Sequence, residues 1–146
     1  MSDKKLQFLE LEEIKYPLVN QFYKRVYKKG LARKNEAVFV LKNIRIVCSG
    51  KLKRLDQQRL LTGIACDPDY RGQGYASLLI TKILQQQQQT IYCFSYAHLQ
   101  AFYSRLGFVR TDPQTAPEII RKTYSSYSKT RALLLMVYSS KSDNKD

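Results

Sequence analysis

Apolar side chains at Leu18, Phe22 and Val26 recur every four residues, the spacing of one face of an α-helix. Pro17 suits the first turn of that helix and Gly30 is the expected stop. The other side carries Lys24, Arg25, Lys28 and Lys29, followed by Arg33 and Lys34, and reads as a solvated face. A short strand is expected before it, over residues 6–11. After it, residues 37–42 and 44–49 read as two strands joined by a tight turn at Lys42-Asn43. Gly50 then precedes Lys51-Leu52-Lys53-Arg54-Leu55, whose alternation fits either a continuation of the second strand or a basic loop. Residues 60–66 form another strand, ending at Asp67-Pro68. Leu78, Leu79, Ile83 and Leu84 give residues 75–86 helical spacing, and the glutamine run 85–89 reads as surface. A brief strand at 91–94, a short helix at 97–106 closed by Gly107, and a strand from 108 to 110 come next. A loop follows from Asp112-Pro113 to Pro117, then a helical turn or two within 118–127 and a last strand at 133–138. The pattern implies an α/β layer structure with a mixed sheet, in a single domain of residues 1–138. The polar tail, 139–146, is expected to be disordered.

Composition narrows the setting. A chain of 146 residues with 44% hydrophobic content fits one globular domain, which at this size buries roughly two-thirds of its unfolded surface. The longest apolar runs fall well short of the ~20 residues of a spanning helix. The first five residues lack the apolar stretch of a signal peptide, so the expected location is the cytoplasm. Cys48, Cys66 and Cys93 are widely spaced, with no C-x-x-C pair, and are expected as buried, reduced thiols rather than metal ligands. The net charge of +13 bears on partners. Such a field attracts nucleic acid, anionic surfaces or phosphorylated cofactors, although solubility alone also accounts for it.

Candidate chemistry concentrates in Ile64-Ala65-Cys66-Asp67-Pro68-Asp69-Tyr70-Arg71-Gly72-Gln73-Gly74-Tyr75-Ala76. A strand ends, the chain turns through two glycines, and a helix begins. The first N–H groups of a helix lack intrahelical partners, and the macrodipole adds partial positive charge there. Glycine lets the backbone approach an anion, and Arg71 adds a fixed charge beside it. The loop lacks the third glycine and the downstream acid of a dinucleotide fingerprint, and the Gly-Lys-Ser/Thr of a Walker loop.

With Arg71, Gly74 and Ala76 in place, the loop resembles the acetyl-CoA signature of the GNAT superfamily, Arg/Gln-x-x-Gly-x-Gly/Ala. The approach Asp67-Pro68-Asp69-Tyr70 is similar to that of many members. A second segment, Phe102-Tyr103-Ser104-Arg105-Leu106-Gly107-Phe108, resembles the family's Tyr-x-Lys/Arg-x-Gly-Phe. The resemblance spans residues 60–110. It implies a mixed, mostly antiparallel α+β sheet with a splayed parallel pair, flanked by helices. It also implies acetyl transfer from acetyl-CoA to a primary amine by direct attack, without a metal. Main-chain groups of Ile64, Ala65 and Cys66 would then pair with the pantetheine arm and polarise the thioester carbonyl. Gly72, Gln73, Gly74, Tyr75, Ala76 and Ser77, with Arg71, would bind the pyrophosphate. Tyr103 would be the general acid. A packed aromatic on the short helix is its plain structural alternative.

Two departures stand out. Tyr96 stands where the family often has an asparagine, and neither cofactor strand carries a glutamate: Leu60, Leu61, Ile91, Tyr92 and Cys93 fill those places. Remaining candidates for the base are His98, Tyr92, Asp56, Asp112 and Glu118, with His98 more ordinary as a surface or capping residue. These gaps keep a non-catalytic CoA-binding sensor or recruitment module in view. The charge, the basic runs 24–34 and 51–54, and eleven tyrosines do the same for an RNA- or ribosome-associated protein. In the family the acceptor is selected by segments corresponding to 16–34 and 111–130. Homodimers are common among its members and no membrane partner is expected. On this reading the partner is an amine, placed on an acidic macromolecule if the charge reflects its carrier.

Overall fold

The four-residue repeat folds into helix α1 (Tyr16–Val26) with Pro17 in its first turn, but the buried stripe is Val19, Phe22 and Tyr23. Leu18 is 57% exposed. The stripe lies one residue further round because the Tyr23 ring supplies apolar area that a count of aliphatic positions omits. Gly30 is not the helix stop. Tyr27 is already extended, its N–H donating to Tyr23 O at 2.7 Å, and Gly30 ends a following 3-10 turn. A Cβ at Gly30 would strike the Tyr23 ring, which explains the glycine there.

This computed structural model describes residues 5–140. Its strands are β1 (Gln7–Glu10), β2 (Glu36–Lys42), β3 (Ile46–Leu55), β4 (Gln58–Cys66), β5 (Ile91–Tyr96), β6 (Val109–Arg110) and β7 (Leu133–Tyr138). The remaining helices are α2 (Tyr75–Gln86), α3 (Gln100–Arg105) and α4 (Glu118–Tyr127). The strands form one seven-stranded α+β sheet in the order β1-β2-β3-β4-β5-β7-β6. Pairing is mostly antiparallel, and β4 with β5 is the parallel pair, through Arg59–Ile91, Leu60–Tyr92 and Leu61–Cys93. Strand β3 continues for ten residues to Leu55, so residues 51–55 extend the strand. A two-residue turn, with Asp56 in the left-handed region at φ 54°, leads into β4.

Two compact units make up the described chain, residues 5–53 with 62–86 and residues 54–61 with 87–140. In the first, Val19, Phe22 and Tyr23 of α1 pack on Val38, Val40 and Ala65. Each large apolar side chain buried this way contributes about 1.5–3 kcal/mol. Helix α2 covers the other face, where Gly50 makes room: a Cβ there would lie 2.5 Å from Ile64 Cδ1 and close to Leu79 and Ile83. In the second unit, Ala116, Ile120 and Leu135 form a core with Leu55, Tyr92, Phe94, Ile119 and Tyr124 around it. Ser140 is buried, its Oγ donating to Gln88 O at 3.2 Å. The rest of the polar tail, 141–146, lies outside the described residues.

The cysteines require a correction. Cys48 and Cys66 are not free thiols: a disulfide joins them, with Cα atoms 4.2 Å apart. They sit on neighbouring strands next to the Asp67 N–H to Val47 O bond of 2.8 Å, a register that spacing in sequence does not disclose. Cys93 is free and buried. The bridge removes reduced cysteines as an argument for a reducing compartment. Thiol titration of the unfolded, unreduced chain should therefore find one reactive group, rising to three after reduction; three before reduction would refute the bridge. Among the described residues no helix is long and apolar enough to cross a membrane.

Candidate active site

Within the first unit, β4 ends at Ile64, Ala65 and Cys66, with Ala65 buried against α1 and Cys66 tied to Cys48. The chain is then clamped by Asp67, which is 1% exposed. Its carboxylate accepts from the Asp69 N–H at 2.9 Å and from Arg25 Nη1 at 3.1 Å. Arg45 Nη2 lies 4.0 Å from Asp67 and 3.5 Å from Asp69. Burial alone would raise the Asp67 carboxyl, but the Asp69 amide, Arg25 and Arg45 outweigh it and hold it below the usual carboxylate range. Arg45 also stacks over Tyr70, 5.9 Å from the ring centroid, and Tyr70 packs at 6.3 Å on Tyr75. The entry to the loop is thus fixed by charge and by aromatic contact.

Gly72 and Gly74 both take left-handed backbone, φ 79° and 82°. No atom lies within 4 Å of where a Cβ would stand on either. These glycines therefore serve a conformation, not a crowded neighbour, and they leave the loop's surface clear. Leu78 N–H donates to Gly74 O at 3.0 Å, opening the twelve-residue α2. Arg71 is exposed with its Nε donating to Cys66 O at 3.2 Å, which ties its guanidinium to the end of β4. Gln73 is exposed, and Tyr75, Ala76 and Ser77 are half-buried in the first helical turn. Unpaired N–H groups at a helix start, two bare glycines and one arginine fit a diphosphate. The structure thus brings the sequence-derived cofactor residues together in one unit.

Tyr103 lies in the second unit, on α3, and is buried at 8% exposure. Its ring meets Phe102 and Phe108 edge-on at 5.0 and 5.6 Å. Its hydroxyl is hydrogen-bonded to the Cys93 thiol, whose pKa burial pushes up to about 12 against that bond's opposing effect. Tyr103 is therefore both a packed aromatic and a hydroxyl hydrogen-bonded to a sulfur. The candidate bases are more ordinary. His98 stacks on exposed Tyr96 at 5.8 Å. Asp112 accepts from the Gln114 N–H at 2.9 Å, and Asp56 is exposed in its turn. Glu118 pairs with Lys122 at 3.1 Å, which holds its carboxyl below the usual range. Burial raises the Tyr92 phenol. Among the described residues no group of three His, Cys, Asp or Glu could hold a metal ion.

One polar cluster escaped the sequence reading. Lys51 and Glu36, each 4% exposed in the side chain, form an ion pair at 3.0 Å. Lys51 Nζ also donates to Leu31 O at 3.0 Å and lies 5.7 Å from the Tyr23 ring centroid. Burial lowers the Lys51 ammonium from its ordinary value against the pull of Glu36. The Tyr23 hydroxyl reaches Ser49 Oγ at 2.9 Å and Gly63 O at 2.8 Å.

A family model described as Acetyltransferase (GNAT) domain matches residues 34–110, just over half the chain. Among solved structures, N-acetylglutamate synthase from Neisseria gonorrhoeae, complexed with coenzyme A and N-acetyl-glutamate, superposes with TM-score 0.72 at 15% identity. That match covers 94% of this chain and 35% of the synthase, so the chain spans about a third of its length. The ribosomal-protein-S18-alanine N-acetyltransferase from Escherichia coli gives 0.66 at 18% identity, covering 97% of this chain and 99% of that one. An acyl-CoA N-acyltransferase from Pseudomonas aeruginosa gives 0.67 at 16%, covering 92% and 100%. No curated protein sequence matches the chain.

Proposed function

The chain belongs to the GNAT acetyltransferase family, and from that premise we propose that it moves the acetyl group of acetyl-coenzyme A directly to a primary amine. The observation that carries this reading is the loop at the start of α2, with Gly72 and Gly74 in left-handed backbone and open space beside both. Gly72 to Ser77 would hold the pyrophosphate with their N–H groups, and Arg71 would add its charge. When bound, the thioester supplies an acetyl carbonyl for attack and a thiolate as leaving group. Main-chain N–H groups of Ile64 to Cys66 would hold the charge that develops on the carbonyl oxygen. Tyr103 would donate the proton that the departing sulfur needs. Holding amine and acetyl together would provide much of the acceleration. No metal takes part in these roles.

Neither β4 nor β5 carries a carboxylate to deprotonate the amine. An α-amino group, with a reference pKa of roughly 8, is partly neutral at pH 7, whereas lysine at roughly 10.4 is hardly so. The acceptor is accordingly an amine of low pKa, with a water chain completing proton removal. The test is calorimetry with coenzyme A, followed by acetyl transfer to peptides that offer only an α-amino or only an ε-amino group. Micromolar binding with faster α-amino transfer is expected. Faster ε-amino transfer would overturn the preference, and binding without transfer to any amine would favour a sensor.

A further inference from the structure

We propose that Tyr23 is a positioning residue, whose hydroxyl holds the Gly63 carbonyl and so turns the Ile64 N–H toward the thioester. The inference deepens the acetyl-transfer reading and rests on it. The side-chain contacts that carry it all lie in the first unit.

Tyr23 is fully buried in α1, with its hydroxyl 2.8 Å from Gly63 O and 2.9 Å from Ser49 Oγ. Ser49 Oγ donates to Phe39 O at 3.1 Å, which commits the serine proton and leaves its oxygen as an acceptor. The single phenolic proton is thus shared between Ser49 and Gly63. Burial raises the phenol's pKa, so the group remains a donor throughout the pH range in which an enzyme works. The ring itself is seated by Lys51, which Glu36 and Leu31 O hold in place.

Gly63 is the irregular residue of β4. Its φ is 68°, and a Cβ there would lie 2.6 Å from Lys51 Cε. The parallel ladder of β4 ends at Leu61, two positions earlier. Beyond that point β3 still flanks the opposite edge of β4, and the Tyr23 hydroxyl is the side-chain contact that holds the Gly63 carbonyl. The Gly63 carbonyl and the Ile64 N–H belong to one planar trans peptide, so they point in opposite directions. Fixing the carbonyl toward α1 fixes the N–H away from it. An oxyanion donor is effective only when already aimed, since no reorganisation is then needed during the reaction.

The experiment is Tyr23→Phe in the full chain, with kcat, coenzyme A affinity and the backbone amide resonance of Ile64 measured together. A fall in kcat of about tenfold or more is expected, with coenzyme A affinity changed less than about threefold and the Ile64 amide shifted. Ser49→Ala keeps the Tyr23–Gly63 bond and should change kcat less than about twofold. Lower thermal stability with unchanged kcat, or equal losses of kcat in both variants, would overturn the proposal. Should Tyr23→Phe not fold, 3-fluorotyrosine at position 23 keeps the shape and alters the donor's strength. The Gly63 carbonyl-carbon resonance and kcat should then move together, and movement of neither or of only one would count against the proposal. If wild-type protein neither binds coenzyme A nor transfers acetyl, the underlying reading fails instead, while the Ile64 resonance still reports on the Tyr23 contact.

Discussion

Replacing Tyr103 with phenylalanine is expected to lower kcat by about a hundredfold or more while coenzyme A affinity stays within about threefold, the pattern of a group needed as the bond breaks. Phenylalanine keeps the edge-on contacts with Phe102 and Phe108, so the aromatic packing of α3 survives. What disappears is the hydroxyl and its bond to the Cys93 sulfur. Thiol sulfur is a weak partner, and the loss of stability should be no more than about 1 kcal/mol. Rate and stability therefore separate cleanly in this variant. Pre-steady-state acetyl transfer and thermal unfolding on the same preparation measure both. Unchanged kcat would leave Tyr103 a structural aromatic and move the acid role elsewhere.

The largest effect on stability is expected from Lys51→Met. The ammonium is removed while the Glu36 carboxylate remains, in a site where both side chains are 4% exposed. An uncompensated buried charge costs about 3–5 kcal/mol. For a chain of this size that corresponds to a fall in Tm of about 10–16 °C. Glu36 keeps its bond from the Arg33 N–H, which one amide cannot make into a substitute for the lysine. Adding Glu36→Gln should recover much of the loss, because the amide can be buried neutral and still accept from Arg33. Chemical denaturation of the two single variants and the double variant gives the coupling. A cost below about 1 kcal/mol for Lys51→Met would show that water reaches the pair.

These two sites were unequally legible. The Gly-x-Gly turn between a strand and a helix, and Tyr103 in its Phe-Tyr-x-Arg-x-Gly-Phe run, are contiguous, so the resemblance to the family can be read from them directly. The Lys51 cluster draws on Tyr23, Glu36, Ser49 and Gly63, which only folding brings together. Alternation along β3 made it harder to see. Val47, Ser49 and Lys51 share a face, and a polar residue in that series reads as solvent-facing when one side of a sheet is assumed open. Here α1 covers the face bearing Ser49 and Lys51, and α2 covers the face bearing Gly50. The buried stripe of α1 departs from its aliphatic repeat for a related reason, since Tyr23 contributes a buried ring and a hydrogen-bonded hydroxyl at once.

By itself the sequence determined the order of strands and helices, the glycine turn that leads from β4 into α2, and membership of a family that uses coenzyme A. Each depends on residues adjacent in the chain, where local backbone preference and helix-end chemistry act directly. Tertiary structure decided the rest: the Cys48–Cys66 bridge, the burial of Lys51 with Glu36, and the grip of Tyr23 on Gly63. Those depend on strand register and on which face a helix covers. Both are set by packing the whole core, not by any segment's own propensity.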